Sequence, residues 1–432
     1  MGLDPGGMGR DLRSMQIRTR QAALLSACIA LLVPTVCGAA AVPGSSSPEP
    51  AGATPRILQL EASAKLSASE QAAVFEEYVL AYRAAVVNRN EALGRELADR
   101  ATQVFPKRRR AWCHLAAARL RIHQWGPAIE AARAAEAAHD DDDPPASLPD
   151  ETAAGAAYWE GLALYRTQRY AEALPRLRAA HTRAPEWAEA ARALGEAAFV
   201  AGRAKEAAAA YSAAFAIDPS AGSVHDLAYW AEARSVSGDL DGGIAAIQEA
   251  LRVAPFEPGL HAKLGDLLRR EGQLADAYYE LLLEGLLHGS EGRFTGPAVS
   301  MAQAIVDSLR TMHEVAQNHE LMTISAGLAS LDAGQPHLAI HQLQHALTIT
   351  RSASPVPHLL LADALYRDSQ SDPARTVLEE TLVTHPDFVP ALELLSNVYT
   401  RLGRPREAKA ARERALALFP EYWKMKPKPG RS

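Results

Sequence analysis

Residues 188–219 read AEAARALGEAAFVAGRAKEAAAAYSAAFAIDP. Apolar residues recur at helical spacing on either side of Gly202, which predicts two helices joined by a tight turn. Leu194 and Gly195 sit midway along the first helix; Ala207, Tyr211 and Ala214 form the inward stripe of the second. A glycine at 195 lets the two helices approach closely, and one at 202 takes a turn conformation that costs other residues more. Ala207 and Tyr211 stand i, i+4 on one face. Pro219 closes the segment because it cannot continue a helix.

The arrangement returns in both directions along the chain. Pro185 to Pro219 is 34 residues, Pro219 to Pro255 is 36, and Pro386 to Pro420 is 34. Residues 154–185 carry Gly161, Ala173, Leu177, Ala180 and Pro185; residues 258–284 carry Leu264, Gly265, Gly272, Ala277 and Leu281. Residues 389–420 carry Leu395, Tyr399, Gly403, Ala408, Ala415 and Pro420. Weaker copies fill 75–106, 109–139, 224–255, 320–350 and 355–386, giving about nine helix pairs. The register resembles the tetratricopeptide repeat, whose pattern is W-x2-L-G-x2-Y, then A-x3-F, then P. That resemblance implies an all-α fold, a right-handed superhelical solenoid of stacked helix-turn-helix hairpins. It also implies a concave groove lined by the first helices, a protein or peptide partner, no cofactor and no catalysis.

Composition agrees with a folded chain. Of 432 residues, 48% are hydrophobic and 22% charged, which excludes a wholly disordered chain. The single apolar run near the N-terminus excludes a polytopic membrane protein. A net charge of -6 gives no electrostatic ground for nucleic-acid binding.

Residues 1–40 read as an address. Arg10, Arg13, Arg18 and Arg20 precede the uncharged run Ala22–Val33, and small residues follow at Gly38–Ala41. This is the layout of a cleaved secretory signal peptide, and a start at Met15 gives more usual proportions. Two alternatives stand beside it. Residues 22–42 left uncleaved would tether the chain to the membrane, and Leu25-Ser26-Ala27-Cys28 has the look of a lipobox. All three place the folded part outside the cytoplasm, in the periplasm of a bacterium or beyond. Cleavage would leave Cys113 alone, so no internal disulfide is expected.

The expected order is signal peptide 1–40, flexible linker and leading segment 41–74, and a first repeat block 75–288 with an acidic loop at 139–150. An irregular segment 289–318 follows, then a second block 319–420 and a basic tail 421–432. Within the irregular segment Val299, Ala302, Ile305, Leu309, Met312 and Ala316 predict one helix over 297–317.

Chemical motifs are scarce. There is no GxxxxGK[ST] loop, no GxSxG elbow and no GxGxxG turn. His313-Glu314 starts like a zinc-protease motif, but His319 follows six residues after His313, on another side of a helix. His337, His341 and His345 share one helical strip, which makes them the candidate metal ligands, against a reading as three solvent-facing residues. Asp140–Asp143 lacks the alternation and glycine of a calcium loop. Lys107–Arg110 and the tail cations Lys424, Lys426, Lys428 and Arg431 read as solvated charge. Some members of the resembled family grip a C-terminal carboxylate through Lys and Asn; here Asn397 is preceded one turn earlier by Glu393.

The candidate site is therefore a surface. Positions two, five, nine and twelve of each repeat should face the groove. They supply Tyr158, Leu162 and Tyr165, then Glu189, Arg192, Glu196 and Phe199, then His225 and Glu232, then Asp266 and Arg269. The expected function is a non-enzymatic, exported scaffold; proteins resembling it serve assembly of secretion, pilus or polysaccharide-export machines. The alternative is a metal-handling protein that uses the His337–His345 strip.

Overall fold

Ser67 opens the first long helix with a capping box: its hydroxyl accepts from the Glu70 amide, and the Glu70 carboxylate accepts from the Ser67 amide at 2.8 Å. That helix begins at Ala68, ahead of the predicted block start at residue 75. The computed structural model describes residues 55–60, 66–138, 148–220, 222–288, 297–311 and 318–420. The address segment, the start of the linker, Asp140–Asp143, Met312, His313, Ala316 and the basic tail lie outside the described residues.

A short α1 (Arg56–Gln59) packs on the first hairpin, α2 (Ala68–Val87) and α3 (Glu91–Val104). Then come α4 (Arg109–Arg121) with α5 (Trp125–Ala137), a 3-10 turn at Pro149–Glu151, and α6 (Ala153–Arg166) with α7 (Tyr170–Arg183). Next are α8 (Ala188–Val200) with α9 (Ala204–Ile217), α10 (Val224–Val236) with α11 (Leu240–Val253), and α12 (Leu260–Glu271) with α13 (Leu274–His288). A lone α14 (Pro297–Thr311) precedes three last hairpins: α15 (His319–Asp332) with α16 (Pro336–Ile349), α17 (Val356–Arg367) with α18 (Ser371–Thr384), and α19 (Val389–Arg401) with α20 (Pro405–Leu418). Each helix packs chiefly on its neighbours in the chain, and the described residues contain no strand. None of the described helices is long and apolar enough to cross a membrane. The fold is an all-α solenoid of stacked hairpins.

Two backbone features recur in register. Every hairpin turns through one residue of positive φ, a glycine at Gly202 (74°) and Gly403 (70°) but Arg89, His123, Gln168 and Ser369 in four others. Within the hairpin, the mid-helix glycine has no room for a side chain. A Cβ on Gly161 would lie 2.7 Å from Leu177 Cγ, and one on Gly195 would lie 2.9 Å from the Tyr211 ring. The glycine and the large residue opposite it form one packing unit, repeated at Gly265 with Leu281 and at Gly327 with Leu343.

After α13 the stacking changes. Buried Tyr279 on α13 donates to Glu320 at 2.8 Å, at the start of α15, and Ser352 donates to Asp276 at 2.5 Å, between the second block and α13. Further along, Leu287 of α13 shares a core with Val389, Leu392, Ala415 and Phe419. Phe256, in the turn before α12, stacks on Phe419 with ring centroids 4.7 Å apart and planes 6° from parallel. The second block thus packs against the middle of the array as well as following it. The helix predicted over 297–317 is present as α14 from Pro297 to Thr311, with Ala302, Val306 and Leu309 buried.

Candidate functional site

On the first helices the register positions divide into covered and open ones. On α4 positions 110, 113, 117 and 120 are all buried. Arg110 meets Glu151 from the 3-10 turn, Nε to Oε2 at 3.2 Å. Glu151 also accepts from Arg83 of α2 at 2.7 Å and from His114 Nε2 at 3.1 Å. Tyr78 lies 2.8 Å from His114 Nδ1, and the Tyr82 ring stacks on the imidazole at 4.1 Å. Burial alone would push the Glu151 carboxyl up; the hydrogen bonds and charges of His114 and Arg83 outweigh it and hold the group down at about 2.

This corrects the reading of Lys107–Arg110 as a solvated cationic run. Lys107 is exposed, but Arg108 and Arg110 are buried. Arg108 lies over the Phe75 ring at 4.2 Å. The sequence gives no local hint, because the buried carboxylate that meets Arg110 comes from 41 residues further on, beyond the acidic loop, and a second, Glu76 at 3.6 Å, from 34 residues before it.

The next helices carry the predicted groove residues, and two are placed differently from expectation. Tyr158 on α6 is 1% exposed, its ring 4.5 Å from Trp187, and burial raises its phenol to about 12. It is a core residue, not an exposed anchor. Arg192 on α8 has a side chain only 11% exposed; it reaches Asp226 at 3.5 Å and Glu196 at 3.7 Å. Burial opposes its charge, but Asp226 and then Tyr158 and Glu196 hold its pKa above the usual arginine value. Asp226 is itself fixed by a capping box with Ser223 on α10. Arg192 therefore ties α8 to α10 rather than waiting for a partner.

The remaining positions are open to different degrees. Tyr165 is half-buried and donates to Glu196 at 2.9 Å, while Leu162 and Glu189 are also half-buried. Phe199 stacks on Tyr229 at 4.8 Å, and both rings are partly exposed. His225 lies 3.9 Å from Glu257, Glu232 pairs with Lys263 at 3.1 Å, and Asp266 pairs with Arg269 at 2.6 Å. On α15 the equivalent positions Leu321, Ile324, Leu328 and Leu331 are apolar and buried. Open, charged and aromatic register positions thus run along α6, α8, α10 and α12.

The histidine strip is exposed. His337 and His341 have ring centroids 5.0 Å apart, His337 lies 3.7 Å from Asp368, and His345 faces His319 at 5.3 Å. Among the described residues no group of three or more His, Cys, Asp or Glu side chains is placed to hold a metal ion.

Stacked hairpins with a tight glycine crossing, a left-handed turn and a closing proline define the chain as a helical-repeat solenoid protein. Family models of the tetratricopeptide repeat match residues 153–222, 230–287 and 389–422. These stretches of the chain are tetratricopeptide repeats. No curated protein matches it by sequence. Among solved structures it is similar to YrrB, described as a tetratricopeptide-repeat protein with an unusual peptide-binding site. That match has 15% identity and a TM-score of 0.34, over 45% of this chain and 91% of that one. It is also similar to MamA from Desulfovibrio magneticus (18%, TM-score 0.34, 40% and 90% covered). A repeat protein from Parabacteroides merdae matches at 14% and TM-score 0.35, with 67% and 98% covered.

Proposed function

We propose that this chain is a non-enzymatic scaffold that binds a partner protein or peptide along α6, α8, α10 and α12. The observation carrying this reading is that half-exposed aromatic and charged register positions persist there, while those of α4 and α15 are buried. Tetratricopeptide-repeat proteins generally bind protein or peptide partners, which supports the assignment. If Phe199 anchors the partner, Phe199→Ala should cost about 2 kcal/mol of binding while the fold survives, since its ring is partly exposed. His341→Ala, on the exposed strip of α16, should leave binding unchanged. Partners captured by the wild-type chain and lost by Phe199→Ala alone bear the reading out; equal capture by all three chains removes the groove from consideration.

We further propose export, with the scaffold serving assembly of a bacterial envelope machine. Support comes from the arginines, apolar run and small residues of 1–40. A reporter fused after residue 60 should be active only outside the cytoplasm, with the mature chain beginning near Ala41. Recovery of full-length chain from the cytoplasm overturns this; membrane retention with residues 1–40 intact selects the anchor.

A further inference from the structure

The junction that fastens the last hairpin to the middle of the array contains one titratable side chain with nothing to bind. His288 ends α13, and both of its ring nitrogens are closed off from solvent, with no hydrogen-bond partner among the described residues. Its ring stands edge-on to Phe419, centroids 6.0 Å apart and planes at 70°, while Phe419 stacks on Phe256. The residue before it, Leu287, shares a small core with Val389 and Leu392 of α19 and with Ala415 of α20. A neutral imidazole fits this setting at the cost of one unpaired N–H. An imidazolium would bring a second N–H and a full charge into it.

The charged groups around the ring are engaged elsewhere. Glu284, one turn earlier on α13, is buried and accepts from the backbone amides of Gly259 at 2.8 Å and Ala262 at 3.3 Å. Glu257, in the turn before α12, lies 3.9 Å from His225. His261 on α12 meets Glu280 of α13 at 2.6 Å; burial opposes its charge, but that carboxylate outweighs burial and raises the imidazole above the ordinary value. From the last hairpin the ring is faced by Phe419, which carries no charge. Burial, helped by the charge of His261, holds His288 below the ordinary histidine value of 6.5 against the pull of Glu284 and Glu257.

We propose that His288 is an acid-released latch: neutral, it lets α19 and α20 close onto α12 and α13, and protonated it lets them go. Opening returns the ring to water, where it binds its proton more tightly than in the closed junction. Closure is therefore at full strength above about pH 6.5 and weakens as the pH falls below it. The His261–Glu280 pair joins α12 to α13 and stays on one side of the latch. Tyr279 with Glu320 and Ser352 with Asp276 tie α13 to the earlier part of the second block, so release is confined to the last hairpin, whose α19 remains stacked on α18.

Amide hydrogen exchange of the full chain at about pH 7.5 and about pH 5.5, expressed relative to the intrinsic rate at each pH, tests this. Wild type should lose protection in α19 and α20 at the lower pH, while α6 and α8 keep theirs. His288→Leu, which takes no proton and suits the apolar setting, should hold the junction protected at both. Unchanged protection in wild type overturns the latch, and so does an equal loss in His288→Leu. Exchange of the histidine C2 hydrogen, followed by mass spectrometry on the wild-type chain, gives a reading that needs no variant. A His288 midpoint below 6.5 supports the latch, and one at or above 6.5 overturns it.

Discussion

Replacing Glu151 by alanine is expected to destabilise the chain by about 3–5 kcal/mol at neutral pH, the cost of removing one partner from a buried ionic cluster. Arg110 would lose its nearer carboxylate, with the more exposed Glu76 still 3.6 Å away, and His114 and Arg83 would each lose an acceptor. The pH dependence has a definite sign. Folding holds the Glu151 carboxyl at about 2, below its unexceptional unfolded value of 4.5. Its stabilisation is therefore complete above about pH 4.5 and is lost as the pH falls toward 2. Full conversion of that shift gives roughly 3 kcal/mol; because Arg83 is partly exposed, solvent screening reduces it to about 2 kcal/mol. Denaturant titrations of wild type and Glu151→Ala should differ most at pH 7, and the difference should shrink by about 2 kcal/mol between pH 5 and 2. Equal midpoints at pH 7 would show that the cluster contributes no net stability.

Gly195→Leu is expected to cost about 3 kcal/mol, toward the upper end of overpacking effects. The first added carbon alone would stand 2.9 Å from the Tyr211 ring. That ring is fully buried on α9. Gly202→Leu, where a Cβ meets nothing but φ is +74°, would act by backbone strain instead and serves as the comparison. Thermal unfolding of the two variants separates the mechanisms: restoring space with Tyr211→Ala should partly rescue Gly195→Leu and leave Gly202→Leu as it was. An unchanged melting temperature for Gly195→Leu would contradict the tight crossing.

Much of this fold was legible because each hairpin carries its own instructions. Gly195 with Tyr211, Gly161 with Leu177, and the closing prolines lie within one repeat, so their spacing alone gives the register. The candidate site was less legible because position in the repeat does not determine exposure. Tyr158 and Arg192 hold the predicted groove positions, yet Trp187 covers the first and Asp226 binds the second. Asp226 lies 34 residues from Arg192, one repeat along, and doubles as a helix cap, so nothing near Arg192 announces it. Glu151 was missed for a related reason. It follows a run of aspartates that reads as solvated, while its partners Arg83, Arg110 and His114 belong to helices 37 or more residues earlier.

The stacking of Phe256 on Phe419 alters how such an array comes apart. In a strictly linear repeat protein each hairpin answers only to its neighbours, so the last one can fray alone. Here the last hairpin is fastened 163 positions upstream, onto the turn before α12 and the end of α13. Fraying from that end must break contacts with the middle of the array, and forming them demands closure of a long loop whose entropy grows only slowly with its length. The C-terminal half thereby acquires the all-or-none character of a globular domain, while the hairpins from α2 to α11 keep the segmental opening of a chain of links.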